Sequence, residues 1–232
     1  MRSPEQTPAQ ITFNLEEGLR LARTAEPRKI DPESFADLYG PAIVQTDLEE
    51  AAKLKAIFRQ REGADRKTMH QYAEVFEAVL AYQGEMNDWF GENAHLIRAS
   101  EYDDFKNGVD IIAEIKLGDD GAEHLALALD ISFQKEGAWE KGGRLRQEIE
   151  RGALAKIKYF VSKHLPFRGE LRDLPRFAIL AKKDTLAEVA KLWLETPSGS
   201  AKILENHPLQ FQILEQLQEQ CLAFIPYARL HH

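Results

Sequence analysis

Two aspartates stand where a folding argument alone would put apolar residues. The stretch NGVDIIAEIKLGDDGAEHLALALDIS, residues 107–132, holds two apolar runs around a Gly/Asp turn, with Asp110 near its entry and Asp130 near its exit. Such runs, bounded by turn formers, read as an antiparallel hairpin. A loop centred near residue 120 puts Asp110 directly across from Asp130. Opposed side chains on one face have Cβ atoms roughly 4.5–5.5 Å apart, and like charges there are destabilising. A divalent cation with oxygen ligands relieves that repulsion, so the pair predicts a carboxylate site for such an ion. A slip of one residue would send the two aspartates to opposite faces. Upstream, SEYDDFKNGVD offers Glu101, Asp103 and Asp104, and Asp104 completes the metal shell if the loop turns inward.

The elements that must position this pair follow from periodicity. TDLEEAAKLKAIFRQREG predicts a helix with Thr46 or Asp47 as N-cap, acids in its first turn, bases in its last and Gly63 as its stop. DRKTMHQYAEVFEAVLAYQGEMNDWF predicts a second helix, weakened after Gly84. AHLIRAS is a short strand, followed by the hairpin. Residues from about Arg144 to Lys163 place Leu145, Ile149, Ala153, Ile157 and Phe160 at helical spacing, which predicts a long helix. LPFRGELRDLP reads as a loop, RFAILAKK as a strand, and TLAEVAKLWLE and FQILEQLQEQCLAFI as helices. The order predicts an α/β fold with a small mixed β-sheet, a central antiparallel hairpin and flanking helices. It divides the chain into an N-terminal helical extension (1–67), an α/β core (68–196) and a C-terminal helical segment packed on it (197–232). The first 30 residues read as peripheral.

Composition excludes some classes. The 232 residues are 44% hydrophobic and 29% charged, as expected of a globular domain with a real core. No apolar run approaches the roughly 20 residues of a membrane-spanning helix, and MRSPEQTPAQ has no apolar signal core, so a cytoplasmic protein is expected. The one cysteine, Cys221, has no cysteine partner. KNGVD and EKGGRLRQ lack the remaining elements of a Rossmann or P-loop fingerprint, which counts against nucleotide binding. The histidines share no metal-ligand spacing. His231 and His232 are left out of any site.

Net charge is −8, yet it is unevenly distributed. Residues 85–140 hold 14 acids against 4 bases, and residues 141–183 hold 12 bases against 4 acids. An acidic metal site beside a cationic surface suits a polyanionic substrate.

The arrangement resembles the PD-(D/E)xK nuclease superfamily, with its restriction-endonuclease-like core of helix, three antiparallel strands, helix and strand. The resemblance covers about residues 68–195 and rests on element order more than on a tight motif. It implies that Asp110 and Asp130 bind the metal and that a lysine two residues after the second acid positions or activates the attacking water. Position 132 is serine, so the cation must come from elsewhere, with Lys141 and then Lys135 as candidates. Val109 stands where the motif has proline. The family often adds an acid from its first helix, for which Glu77 and Glu74 are candidates, although both lie off the apolar stripe and are expected at the surface. The implied function is a divalent-metal-dependent nuclease acting on DNA or RNA, with Mg²⁺ or Mn²⁺ held by Asp110 and Asp130. Arg144, Arg146, Arg151, Lys156 and Lys158 would contact the nucleic-acid backbone from the long helix, and Trp139 would be the residue to stack on a base. The alternative is a nuclease-fold protein without catalysis that binds nucleic acid or protein, with the Gln/Glu-rich C-terminal helix offering a homodimer interface. A purely structural α/β domain is the third reading.

Overall fold

The computed structural model describes residues 14–61, 64–117, 123–133, 151, 154–195 and 201–230. Among these residues four α-helices precede the first strand: α1 (Leu15–Thr24), a short α2 (Ala36–Tyr39), α3 (Pro41–Arg61) and α4 (Ala64–Met86). Six strands follow: β1 (Ala94–Arg98), β2 (Ile111–Leu117), β3 (Glu123–Phe133), β4 (Ala155–Val161), β5 (Arg168–Leu174) and β6 (Arg176–Ala181). Then come α5 (Lys183–Glu195) and α6 (Pro208–Leu230). The fold is mixed α/β. One sheet has the order β1-β2-β3-β6, antiparallel except for the parallel β3/β6 pair, and β4 and β5 form a second, two-stranded antiparallel sheet.

The hairpin register is the expected one, running from Ile111 opposite Leu129 to Leu117 opposite Glu123. Strand β2 is buried on both faces. Ile111 and Ala113 join Val75, Phe76, Val79 and Leu80 of α4 in the main core, while Ile112 packs with Ile97, Ala128, Ile157 and Phe160 beneath the two-stranded sheet. The residue-by-residue alternation of a strand delivers consecutive isoleucines to two different cores. Gly84, expected to weaken α4, instead allows it to approach the sheet, because a Cβ there would lie 2.3 Å from Leu96 Cδ1.

Several expectations are corrected. The segment read as one helix over 144–163 is a strand at 155–161, and residues 134–150 and 152–153 lie outside the described residues. Ile157 and Phe160 keep helical spacing while Ala155, Ile157 and Tyr159 alternate as a strand; pairing with β5 decides for the strand and takes up the odd spacing in a register shift between Ile157 and Phe160. The supposed loop LPFRGELRDLP contains that partner strand. Helix α3 begins at Pro41, five residues before Thr46, whose hydroxyl bonds back to the Ala42 carbonyl instead of capping. Asp47 is buried and accepts the Tyr159 hydroxyl at 2.5 Å. The N-terminal segment is integral from α1 onward: Leu19 and Ala22 belong to the main core, which also takes Leu209, Ile213 and Leu217 from α6.

Helix α6 also solves an edge problem. Strand β6 ends the sheet, and its outward backbone groups would be left open. Gln216 accepts from Leu180 N–H at 2.8 Å and donates to its carbonyl at 3.0 Å, and Gln220 does the same to Ala178 at 2.8 and 2.9 Å. Two glutamines four residues apart thus replace a neighbouring strand. The double variant Gln216→Leu/Gln220→Leu should lose about 1–3 kcal/mol per stranded buried group and self-associate on unfolding titration followed by light scattering. Unchanged stability would refute the capping role.

Candidate functional site

The two aspartates meet at the end of the hairpin opposite its turn. The ladder holds to Ile111, and at Asp110 the chain bends: its N–H donates to the Leu129 carbonyl at 3.0 Å, and its carboxylate accepts the Ile131 N–H at 2.6 Å. A π-helical turn, Asp103–Asn107, brings the acidic segment in from β1. It ends on Gly108 with φ +64°, a backbone state that penalises side chains. A Cβ at Gly108 would also lie 2.9 Å from Arg176 Nη1, and Arg176 clamps this turn by donating to the Asn107 and Gly108 carbonyls at 2.8 and 3.2 Å. Asp103 anchors the same turn. Its buried carboxylate accepts from Ser100, Asn107 and the Lys158 and Tyr159 N–H groups. Asp104, the next residue, is thereby turned inward, as the sequence argument required.

The third acid is Glu77 of α4, which is buried at 6% exposure where surface exposure was expected. Ligand oxygens of Glu77, Asp104 and Asp110 all lie within 4.8 Å of one another, the one such group among the described residues. Asp130 lines the same 260 Å³ cavity as these three. Glu77 follows the core residue Phe76 and lies about one turn before Leu80, and the apolar stripe gave no hint that it faces the hairpin end. Glu74 is part of an ion pair with Arg23 at 2.9 Å instead.

The cation that answers these acids comes from the segment read as peripheral. Lys29 Nζ lies 2.7 Å from Asp104 Oδ2 and 3.3 Å from Glu77 Oε2, with its side chain 25% exposed. The Ile30 N–H to Arg98 carbonyl bond and the Arg98 bond to the Ala22 carbonyl (3.1 and 2.8 Å) stitch this segment along β1. Burial works against the Lys29 charge, but Glu77, Asp104 and Asp110 together outweigh it and hold its pKa above the usual lysine range. Glu77 is pushed up to about 7, chiefly by burial and against the pull of Lys29. Asp110 is raised well above the ordinary aspartate range by burial and by the negative charges of Glu77, Asp104 and Asp130. Lys29, with the buried Arg98 guanidinium also acting on Glu77, does not offset the burial of these carboxylates, and three oxygen donors at this spacing suit a hard divalent cation.

The remaining candidates are dispersed. Lys135, Lys141, Arg144, Arg146 and Trp139 lie outside the described residues. Arg151 and Lys156 are exposed, the latter on β4 and not on a helix. Lys158, also on β4, pairs with Asp47 and sits 5.4–5.6 Å from the rings of Tyr39, Tyr102 and Tyr159, locked in a structural cluster. A cationic cleft is found elsewhere: Arg23, Lys29, Lys55, Arg59, Lys67 and Arg98 line a 740 Å³ cavity that shares Glu77 and Asp104 with the acidic one. Three histidines without sequence spacing also gather at the other end of the sheet, with His164 ring centroids 4.7 Å from His95 and 5.4 Å from His124. No family model, curated protein or solved structure matches the chain.

The raised Glu77 has a definite consequence. Its folded pKa lies above the unfolded value of 4.5, so the folded state holds the extra proton between about pH 4.5 and 7. The stability this confers is complete below 4.5 and is lost as pH rises through 7, with a slope of at most about 1.4 kcal/mol per pH unit. In metal-free buffer the chain should therefore unfold more easily at pH 8 than at pH 5.5. Glu77→Gln should flatten that slope in urea titrations at the two pH values, and an equal slope in both proteins would remove Glu77 as its source.

Proposed function

We propose that this protein is a divalent-metal-dependent nuclease, hydrolysing phosphodiester bonds of DNA or RNA. The observation that carries the reading is the convergence of Glu77, Asp104, Asp110 and Asp130 on one cavity, beside a cleft whose lining carries six cations against four acids, Glu74, Glu77, Glu101 and Asp104. Glu77, Asp104 and Asp110 would hold Mg²⁺ or Mn²⁺, with Asp130 beside them. Such an ion supplies Lewis acidity toward the phosphoryl oxygens and a water of lowered pKa. Ionising the raised carboxylates is part of binding it, so affinity increases with pH. Lys29 supplies the positive charge that Ser132 lacks. Phosphates enter along the cationic cleft, and Coulombic capture there makes binding salt-dependent.

The topology supports the restriction-endonuclease-like reading. Helix α4 leads into three antiparallel strands, and a later strand, β6, lies parallel to the third. A cytoplasmic location belongs to the same proposal; among the described residues no helix is long and apolar enough to cross a membrane. A homodimer through α6 is supported by its exposed Phe211, Leu214, Leu222 and Ile225, three or eight residues apart along one helix.

A second reading rests on Lys29 itself. A lysine already paired with Glu77 and Asp104 neutralises the site internally, as in a nuclease-fold protein that binds nucleic acid without cutting it.

Cleavage of a DNA and RNA panel with Mg²⁺ and Mn²⁺ separates the two. The nuclease reading predicts turnover that Asp110→Asn and Glu77→Gln each reduce by at least about 100-fold, more than the loss of an outer-shell partner, and that Lys29→Gln also lowers. No cleavage, with Lys29→Gln strengthening metal-dependent thermal stabilisation, would favour the second reading and sink the first.

A further inference from the structure

Beside the carboxylates stands an aromatic corner that metal binding does not require. Phe58 of α3 is 50% exposed, its ring centroid lies 6.1 Å from that of Phe105, and His70 of α4 lies 6.3 Å from Phe105. These three rings line the 260 Å³ cavity together with Glu77, Asp104, Asp110 and Asp130. His70 and Phe105 also line the larger cavity, whose cations include Lys55, Arg59 and Lys67. Lys55 Nζ sits 5.6 Å from the Phe105 ring centre and pairs with Glu101 at the rim. The sequence of surfaces is therefore carboxylate, aromatic, cation.

A single exposed apolar side chain needs no explanation. Here the exposed Phe58 packs on Phe105, which lines both cavities and so stands between a place for a reacting phosphate and places for its neighbours along a chain. Aromatic side chains bind nucleic acid through the π-faces of bases, and in a duplex those faces are already stacked on one another. An unpaired base offers its face freely. The inner cavity is also smaller than the roughly 300–1,000 Å³ of a pocket for a drug-sized ligand. It has room for one base or sugar.

Resting on the nuclease reading, we propose that the substrate is single-stranded nucleic acid, with one unpaired base stacked on Phe58 and Phe105 and flanking phosphates against Lys55, Arg59 and Lys67. On binding, a phosphate takes the place of Glu101 beside Lys55. The specificity is for strandedness and not for sequence, because every base presents a π-face.

The test measures binding apart from cleavage. Fluorescence anisotropy in EDTA compares labelled oligothymidylate and oligouridylate of about 20 nucleotides with a blunt duplex of the same length. The single strands should bind at least about 10-fold tighter than the duplex. Phe58→Ala should weaken them about 5- to 100-fold, as expected for one lost stack, while Phe58→Trp retains affinity and duplex binding changes less than about twofold. Lys55→Ala should reduce the salt slope by about 0.7, one phosphate on a single strand. Equal or tighter duplex binding, or single-strand affinity indifferent to Phe58→Ala in a protein that melts like the parent, would overturn the proposal. Phe58-dependent single-strand binding without cleavage in any metal would uphold it and overturn catalysis instead. Asp110-dependent cleavage of duplex with no role for Phe58 would do the reverse.

Discussion

The double burial of β2 is the constraint on which the rest of the molecule depends. Helix α4 covers one face of the strand and the β4–β5 sheet covers the other, so Ile111 and Ile112 feed separate cores. A one-residue slip against β3 would exchange those faces. It would also turn the buried Glu114, which accepts from Ser162 and the Lys163 N–H, toward the apolar face of α4. The packing of the interior therefore fixes the register, and the register fixes where the carboxylates at the end of the hairpin meet. The site inherits its geometry from apolar contacts that take no part in its chemistry.

What the apolar framework positions, electrostatics makes costly. Glu77 and Asp110 are held where burial raises the free energy of their ionised forms, and Lys29 relieves only part of the repulsion. Desolvated like charges in a cavity are a poor way to stabilise a fold, because a buried group without full compensation costs more than an apolar replacement. Such an arrangement has a physical rationale when a further cation completes it, and this is why the carboxylate end of the hairpin stands out from the ordinary ion pairs of the surface.

The cationic surface follows the same logic of prior commitments. Much of the basic block at 141–183 is engaged within the fold: Lys158 with Asp47 and three tyrosines, Arg168 with Asp37, Arg172 with Glu170, and Arg176 with the turn before Asp110. The cleft beside the carboxylates draws its charge instead from α1, α3, α4, β1 and Lys29. Those cations are partnered too, Arg23 with Glu74, Lys29 with Asp104 and Glu77, and Lys55 with Glu101, so a linear excess of positive charge measures composition, whereas a binding surface depends on which counter-charges exchange for phosphate.

The sequence by itself determined the hairpin, its register, the helices α4, α5 and α6 and the placing of Asp110 and Asp130 at one end of the hairpin, because periodicity and turn chemistry are local. It also offered Asp104 as a candidate, but its inward turn depends on the bonds from the β4 backbone to Asp103, which are tertiary. Tertiary structure alone decided the rest. The pattern at 155–161 satisfied both a helical and a strand period until β5 was beside it. Glu77 looked solvent-facing on its own helix, and only the sheet end packed against α4 makes it buried. Lys29 is 48 residues from Glu77 in sequence, and Phe58, His70 and Phe105 come from three separate elements. No local rule brings such groups together, since their approach depends on how helices lie across a sheet, and that is set by the whole core at once.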